Sequence, residues 1–171
     1  MAMLFRLTQK MAKKIKETPN QSCPAASNPY ADWSAHLFTA QRAHYIIITN
    51  STSLYSIILH GRGITDDAAF IDHTMSGMAD FLCRDGYEFQ FRRLIAPNAT
   101  DTVFVKLSDR RVLGSMNDLI RMAKWHLTEG QLSPFEAAEK INKAPMSYLG
   151  YDHPRRAFPK MQLETFEDKE I

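Results

Sequence analysis

The residues best suited to chemistry lie between Arg110 and Asp118, in the segment RRVLGSMND. The paired guanidinium groups of Arg110 and Arg111 suit phosphate or carboxylate, because each offers several donors in one plane. Gly114 would let a ligand approach backbone N–H groups that are free at the start of a helix. We therefore predict an anion site that comprises Arg110, Arg111, Gly114, Ser115 and Asn117.

The same segment also has a purely structural interpretation. Ser115 and Asp118 have the spacing of a capping box, which predicts a helix from Ser115 to about Thr128. Gly114 would then be a turn residue and the arginines would be solvated. Asp118 would also place a negative charge where the anion should bind. In an enzyme, however, Asp118 could act as an acid or base.

The histidines form a second, weaker candidate site. His36, His44 and His60 lie in or beside neighbouring predicted strands, and His36 could approach His60 as an acid or base. A metal site would need a third ligand or a carboxylate in a recognisable pattern. We find no such pattern, so we expect neither a metal nor another cofactor. Trp125, on a predicted helix, is expected to pack.

A lysine-rich helix is predicted near the start of the chain, over residues 9–17 with Thr8 as its N-cap. Lys10, Lys13 and Lys14 surround a narrow apolar stripe on this helix. They could contact nucleic-acid phosphates, or they could simply form a solvated surface.

The composition indicates the cellular compartment of the protein more clearly than its function. The net charge of +2 permits a nucleic-acid partner without demanding one. The two cysteines have no metal-ligand spacing and, with nine methionines, suit a reducing compartment. No secretory signal is evident, and the longest apolar run, Tyr45–Ile48, is too short for a membrane span. We expect a cytoplasmic protein without a membrane association.

The elements predict an α+β fold with a mainly antiparallel sheet of five to six strands. Alternating or β-branched runs predict a strand at 3–7 and a central meander over 33–60. They also predict a second hairpin over 87–107, in which Tyr87–Ile95 is the first strand. Helical stripes over 65–85, 115–128 and 134–143 should pack on this sheet. Gly77 would allow the first of these helices to approach the sheet closely.

The chain divides into two parts by composition. Residues 1–150 are expected to form a single domain that includes a mobile loop at 18–32, which is rich in Pro, Asn and Ser. Residues 151–171 contain prolines and many charges without periodicity, which predicts an extended tail.

Several segments together resemble a bacterial family of small uncharacterised proteins over about residues 3–150. They are LFRLTQKMAKKIK, WSAHLF, ITNSTSLYSIIL, RRVLGSMND and KAPMSYLG. The resemblance implies a domain of unknown function and transfers no mechanism. The matching positions are Trp33, Thr49, Asn50, Leu54, Ser56, Arg110, Gly114, Ser115, Asn117 and Asp118.

These features favour a non-enzymatic binding or regulatory module that recognises an anionic partner, either nucleic acid or a nucleotide. One alternative is an enzyme that acts on a phosphorylated substrate or on nucleic acid. Another is a protein–protein interaction module, such as a homodimer formed through a meander edge or through the aromatic face of Tyr87–Phe91.

Overall fold

A computed structural model describes residues 2–163 and contains a five-stranded mixed sheet. The strand order is β4-β3-β2-β1-β5. Strands β2, β3 and β4 form an antiparallel meander, whereas β1 is parallel to both β2 and β5. The bounds are β1 Met3–Leu7, β2 Asp32–Ala40, β3 Ala43–Asn50, β4 Ser56–His60 and β5 Thr102–Lys106.

Helices cover both faces of this sheet. They are α1 Gln9–Lys14, α2 Asp67–Arg84, α3 Glu88–Gln90, α4 Arg110–Thr128, α5 Pro134–Ile141 and α6 Pro154–Ala157. A π-helical segment, Phe91–Ile95, continues α3, and short 3-10 turns lie at Pro29–Ala31, Ala96–Asn98, Ser147–Leu149 and Phe158–Lys160. No helix within residues 2–163 is both long and apolar enough to span a membrane.

The central strand β3 explains why the sheet needs two covering layers. Ile46, Ile47 and Ile48 are all fully buried, although successive side chains of a strand point to opposite faces. Helix α2 covers one face, where a Cβ at Gly77 would lie 2.7 Å from Leu59 Cδ2. The predicted close approach of α2 to the sheet is therefore confirmed. Helices α1, α4 and α5 cover the other face.

The prediction of an α+β fold is confirmed, but the sheet is antiparallel only in its meander. The predicted second hairpin over 87–107 is wrong, because residues 88–98 are helical and β5 pairs with β1 instead. Tyr87, Phe91 and Leu94 pack against the core, and their spacing is helical. Phe89, which suggested an alternating strand, is 66% exposed.

The prediction of an extended tail from residue 151 is wrong for the part of it that the structure describes. Pro154 and Pro159 each lie in the first turn of a short helix, a position that proline favours. Phe158 is fully buried, and its ring packs against those of Tyr30 and Tyr55. The rest of the predicted tail, 164–171, lies outside the described residues.

The predicted loop at 18–32 is irregular until the 3-10 turn Pro29–Ala31, and β2 begins at Asp32. Hydrogen bonds attach it to the sheet. The Lys106 N–H donates to the Gln21 carbonyl, and the Arg6 guanidinium donates to the carbonyls of Cys23 and Pro24. Its mobility stays a prediction.

Candidate functional site

An open groove of 530 Å³ lies between the first turns of α4 and the 3-10 turn Ser147–Leu149. Ser147 and Tyr148 form one wall, and Arg121 extends the opposite wall along α4. The structure thus brings together in one place every residue of the predicted anion site, together with Asp118. These residues are Arg110, Arg111, Gly114, Ser115 and Asn117.

The predicted helix start at Ser115 is wrong. Helix α4 begins at Arg110, and its N-cap is Asp109, whose Oδ1 accepts hydrogen bonds from the N–H groups of Arg111 and Val112 at 2.9 and 3.3 Å. Val112 is buried and starts the apolar stripe of α4 about one turn earlier than the prediction. Ser115 is buried inside the helix, where its hydroxyl donates to the Arg111 carbonyl. Its N–H lies inside the helix and is not free for an anion, so any anion here would have to be held by side chains.

Gly114 lies within α4, away from its ends, and is exposed. A Cβ added there would meet no atom within 4 Å. Glycine in a helix interior costs about 1 kcal/mol relative to alanine. Neither a turn nor a close approach explains this glycine. Its effect is to leave the wall of the groove open beside Arg110 and Arg111.

The two predicted arginines differ in their surroundings. The Arg111 guanidinium lies 5.1 Å from the centre of the Tyr148 ring, which is a cation–π contact. The Tyr148 hydroxyl donates to the Ser51 carbonyl at 3.3 Å and so ties this wall to the end of β3. Burial, followed by the charge of Asp109, raises the pKa of Tyr148. Arg110 is exposed and forms no ion pair within residues 2–163.

Asp118 is already paired. Its Oδ1 lies 2.7 Å from Arg121 Nη2, and both side chains are largely exposed. A solvent-exposed pair of this kind stabilises a protein by about 1 kcal/mol at most. An incoming phosphate can therefore replace Asp118 as the partner of Arg121 at a small cost.

The cationic face continues beyond the groove along α4. Asn117, Arg121 and Lys124 follow Gly114 at helical spacing, and all are exposed. Trp125 lies on this same face and is 59% exposed, so the prediction that it packs is wrong. We call the exposed face formed by Arg110, Gly114, Asn117, Arg121, Lys124 and Trp125 the α4 face.

Helix α1 adds to this surface near His36. The pKa of His36 is lowered, first by burial and then by the positive charges of Lys10 and Lys124. The charges of a lysine of α1 and a lysine of the α4 face thus act on the same ring. Lys13 instead lines a separate cavity of 580 Å³ at the end of β1, and Lys14 is half-buried.

The three predicted histidines are not brought together. His36 and His60 share a face of the sheet but lie on β2 and β4, with β3 between them, and His44 points to the opposite face. The His36 Nδ1 lies 3.1 Å from the Thr8 hydroxyl, and His36 is not among the residues lining the groove. Within residues 2–163, no group of three His, Cys, Asp or Glu side chains could hold a metal.

A buried ion pair in a neighbouring cavity, which shares Tyr148 with the groove, was missed by the sequence reasoning. Arg6 donates to both carboxylate oxygens of Asp32, at 2.8 and 2.9 Å, and the Ala26 N–H donates to one of them. Burial alone would raise the pKa of Asp32, but these hydrogen bonds and the Arg6 charge lower it overall. A charged residue inside the apolar strand MLFRL was the available signal. The pair connects β1, β2 and the loop.

The fold and site define an α+β protein whose mixed sheet supports a cationic groove at the start of a long helix. The chain belongs to the family described as a domain of unknown function, DUF6933, whose model matches residues 4–157. The predicted membership of an uncharacterised family is thereby confirmed, and the match extends through α6. Neither the curated proteins nor the solved structures gave a match.

Proposed function

We propose that this protein is a non-enzymatic module that binds nucleic acid through the α4 face. One observation supports the proposal above all. Within residues 2–163, Arg110, Arg111 and Lys124 have no carboxylate within ion-pairing distance, although they lie along one helix. Unpaired cations in a row are the side chains that replace counterions on a phosphate backbone.

The length of the row favours a polymer over a single phosphate. Arg110 and Lys124 are separated by fourteen residues, which is about 21 Å along a helix axis. A free nucleotide could occupy the groove at Arg110 but could not reach Lys124. Lys10 of α1, whose charge acts on His36 as that of Lys124 does, adds a further cation near this end of the row.

The alternative of an enzyme acting on a phosphorylated substrate finds less support, because the two described groove residues that could act as acid or base, Asp118 and Tyr148, are both engaged. Asp118 is paired with Arg121 and would be released only if a phosphate displaced it, and the Tyr148 hydroxyl is engaged with Ser51 and has a raised pKa. His36, the other predicted acid or base, lies outside the groove. A general acid or base must reach the proton that it transfers.

The alternative of a homodimer through the meander edge is opposed by Asn142. Its Oδ1 accepts from the Ser56 N–H at 2.8 Å, and its Nδ2 donates to the Ser56 carbonyl at 2.9 Å. The amide thereby occupies both outward-facing backbone groups at the start of edge strand β4. Covering an edge in this way hinders strand addition by another chain.

Fluorescence anisotropy with labelled single-stranded and duplex oligonucleotides of about 12 nucleotides tests the proposal. The variant Arg110→Gln should bind more weakly. Its slope of log K against log salt should fall by about 0.7 to 0.9 for each lost phosphate contact. The matched control is Arg93→Gln, because Arg93 is exposed in the π-helical segment, which packs with α2 on the other side of the sheet.

Two results would overturn the proposal. One is the absence of detectable binding even at about 50 mM salt, where phosphate contacts are strong. The other is an equal loss of affinity in Arg110→Gln and Arg93→Gln, which would show that only net charge matters.

A further inference from the structure

We infer that the nucleic acid bound by this protein is single-stranded, and that Trp125 is the platform on which one of its bases stacks. This inference rests on the proposed function, because it identifies the class of nucleic acid that the same face would bind. It begins from the different surroundings of the two tryptophans. Trp33 is fully buried and its indole N–H donates to the Tyr30 carbonyl, whereas Trp125 is 59% exposed.

The fold does not require an aromatic side chain at position 125. The buried side of α4 is already filled by an apolar stripe, and Trp125 lies on the opposite side. Its ring contact is with His126, whose ring is perpendicular to the indole at a centroid distance of 5.2 Å. The two rings are therefore not stacked on each other. The members of the buried stripe are Val112, Met116, Leu119, Ile120, Ala123 and Leu127.

Two cations lie beside Trp125, and the exposed carboxylate of Glu129 lies one turn away in the opposite direction. Lys124 precedes it in the chain, and Arg121 lies one helical turn away on the same face. An exposed aromatic ring beside phosphate-binding cations is the combination found in proteins that bind single strands. A lone exposed tryptophan elsewhere on the surface would carry no such meaning.

Stacking distinguishes a single strand from a duplex. The bases of a duplex stack on one another, so their faces are not accessible to a side chain. The bases of a single strand can turn outward and stack on an aromatic ring. A duplex could still contact Arg110 and Lys124 through its phosphates, but it would leave Trp125 without a partner.

The distance between the groove and Trp125 sets a minimum ligand length. Trp125 follows Gly114 by eleven residues, which is about 17 Å along the helix axis. A mononucleotide cannot occupy the groove and contact the indole together. A strand within the range of about 4 to 16 nucleotides that one binding domain covers can do so.

Intrinsic fluorescence tests this directly, because the chain has only two tryptophans. An unlabelled single strand of about 12 nucleotides should quench the wild-type emission, since a base stacked on Trp125 quenches an exposed indole. The buried Trp33 should not respond, so the variant Trp125→Phe should show no quenching. A mononucleotide and a duplex of the same sequence should leave the wild-type emission unchanged.

Affinity provides the second measurement, by anisotropy with the labelled single strand. Trp125→Leu keeps an apolar side chain but removes the aromatic face, and should weaken binding by about fivefold or more. Trp125→Phe keeps an aromatic face and should bind within about threefold of the wild type. Duplex affinity should be the same in all three proteins. The exposure of residue 125 predicts that both variants keep the wild-type melting temperature.

The outcomes separate the two proposals. Binding that depends on Arg110 but leaves the emission unchanged, with wild-type affinity in Trp125→Leu, would overturn the inference and leave the proposed function intact. Tighter binding of duplex than of single strand would overturn it in the same way. No binding of either nucleic acid at low salt would reject the proposed function, and the inference with it.

Discussion

Replacing Gly114 with alanine should stabilise the protein, and this prediction follows directly from the geometry of α4. Gly114 is the fifth residue of a helix of 19 residues, so it lies in the interior and not at an end. A Cβ at this position would meet nothing within 4 Å. The helix-propensity difference of about 0.8 to 1.0 kcal/mol is therefore the whole expected effect. For a protein of this size it corresponds to a rise of about 2 to 4 °C in melting temperature.

Gly77 provides a matched control in α2. It is also an interior helical glycine, so the propensity gain on mutation to alanine is the same. Its added Cβ, however, would lie 2.7 Å from Leu59 Cδ2 and 3.3 Å from Ile57 Cδ1. Overpacking a site of this kind costs about 1 to 3 kcal/mol. Gly77→Ala should therefore leave the free energy of unfolding unchanged or reduce it by up to about 2 kcal/mol.

Urea denaturation followed by circular dichroism would measure both variants, and the unfolding slope m should match the wild type. The variant Gly114→Gln tests the effect of this position on binding. Glutamine is also a good helix former, but its side chain would fill the open wall of the groove. The variant should be more stable than the wild type and bind the single strand more weakly. The reasoning is refuted if Gly114→Ala is no more stable than the wild type, or if Gly77→Ala is stabilised equally.

Three further predictions concern the stability of the fold. Asp32→Asn should reduce the free energy of unfolding by about 3 to 5 kcal/mol, because it leaves the Arg6 charge buried without its counter-ion; a loss below about 1 kcal/mol in urea denaturation would contradict this. Because the folded-state pKa of His36 is lowered, the unfolded chain binds its proton first, so stability should fall as pH drops below about 6.5. His36→Gln should flatten that pH dependence, and an unchanged profile would contradict the assignment. Phe158→Ala should reduce stability by about 3 to 5 kcal/mol, whereas a residue in an extended tail would show almost no effect.

Local sequence patterns predicted the elements whose structure depends mainly on residues nearby in the chain. The β-branched run of β3 and the short turns around it predicted the antiparallel meander, because neighbouring strands joined by short loops pair with each other. The pairing of β1 with β5 joins segments about a hundred residues apart, and no local pattern encodes it. The alternating pattern predicts a strand over Tyr87–Ile95 because it places Phe89 in an inward row. Whether Phe89 is buried or exposed is set by the tertiary structure, which leaves it 66% exposed.

The candidate site was predicted to the extent that it lies in one continuous segment. Arg110, Arg111, Gly114 and Asn117 are close in sequence, so one helix brings them to the groove. The capping-box pattern at Ser115 then placed the helix start wrongly, because Asp109 also precedes a suitable apolar stripe. Tyr148 comes from a separate 3-10 turn, and only the tertiary fold places its ring against Arg111.

The strongest reason to assign a role to the α4 face is that it departs from optimal stability at two positions without a structural cause. Gly114 gives up about 1 kcal/mol of helix propensity, and Trp125 leaves a large aromatic ring mostly in water. The opposite side of α4 contains no comparable departure, since its apolar residues are buried. Selection for stability alone would remove both features. A common requirement at this face, the binding of a charged and aromatic ligand, accounts for both, together with Arg110 and Lys124, which form no ion pair within residues 2–163.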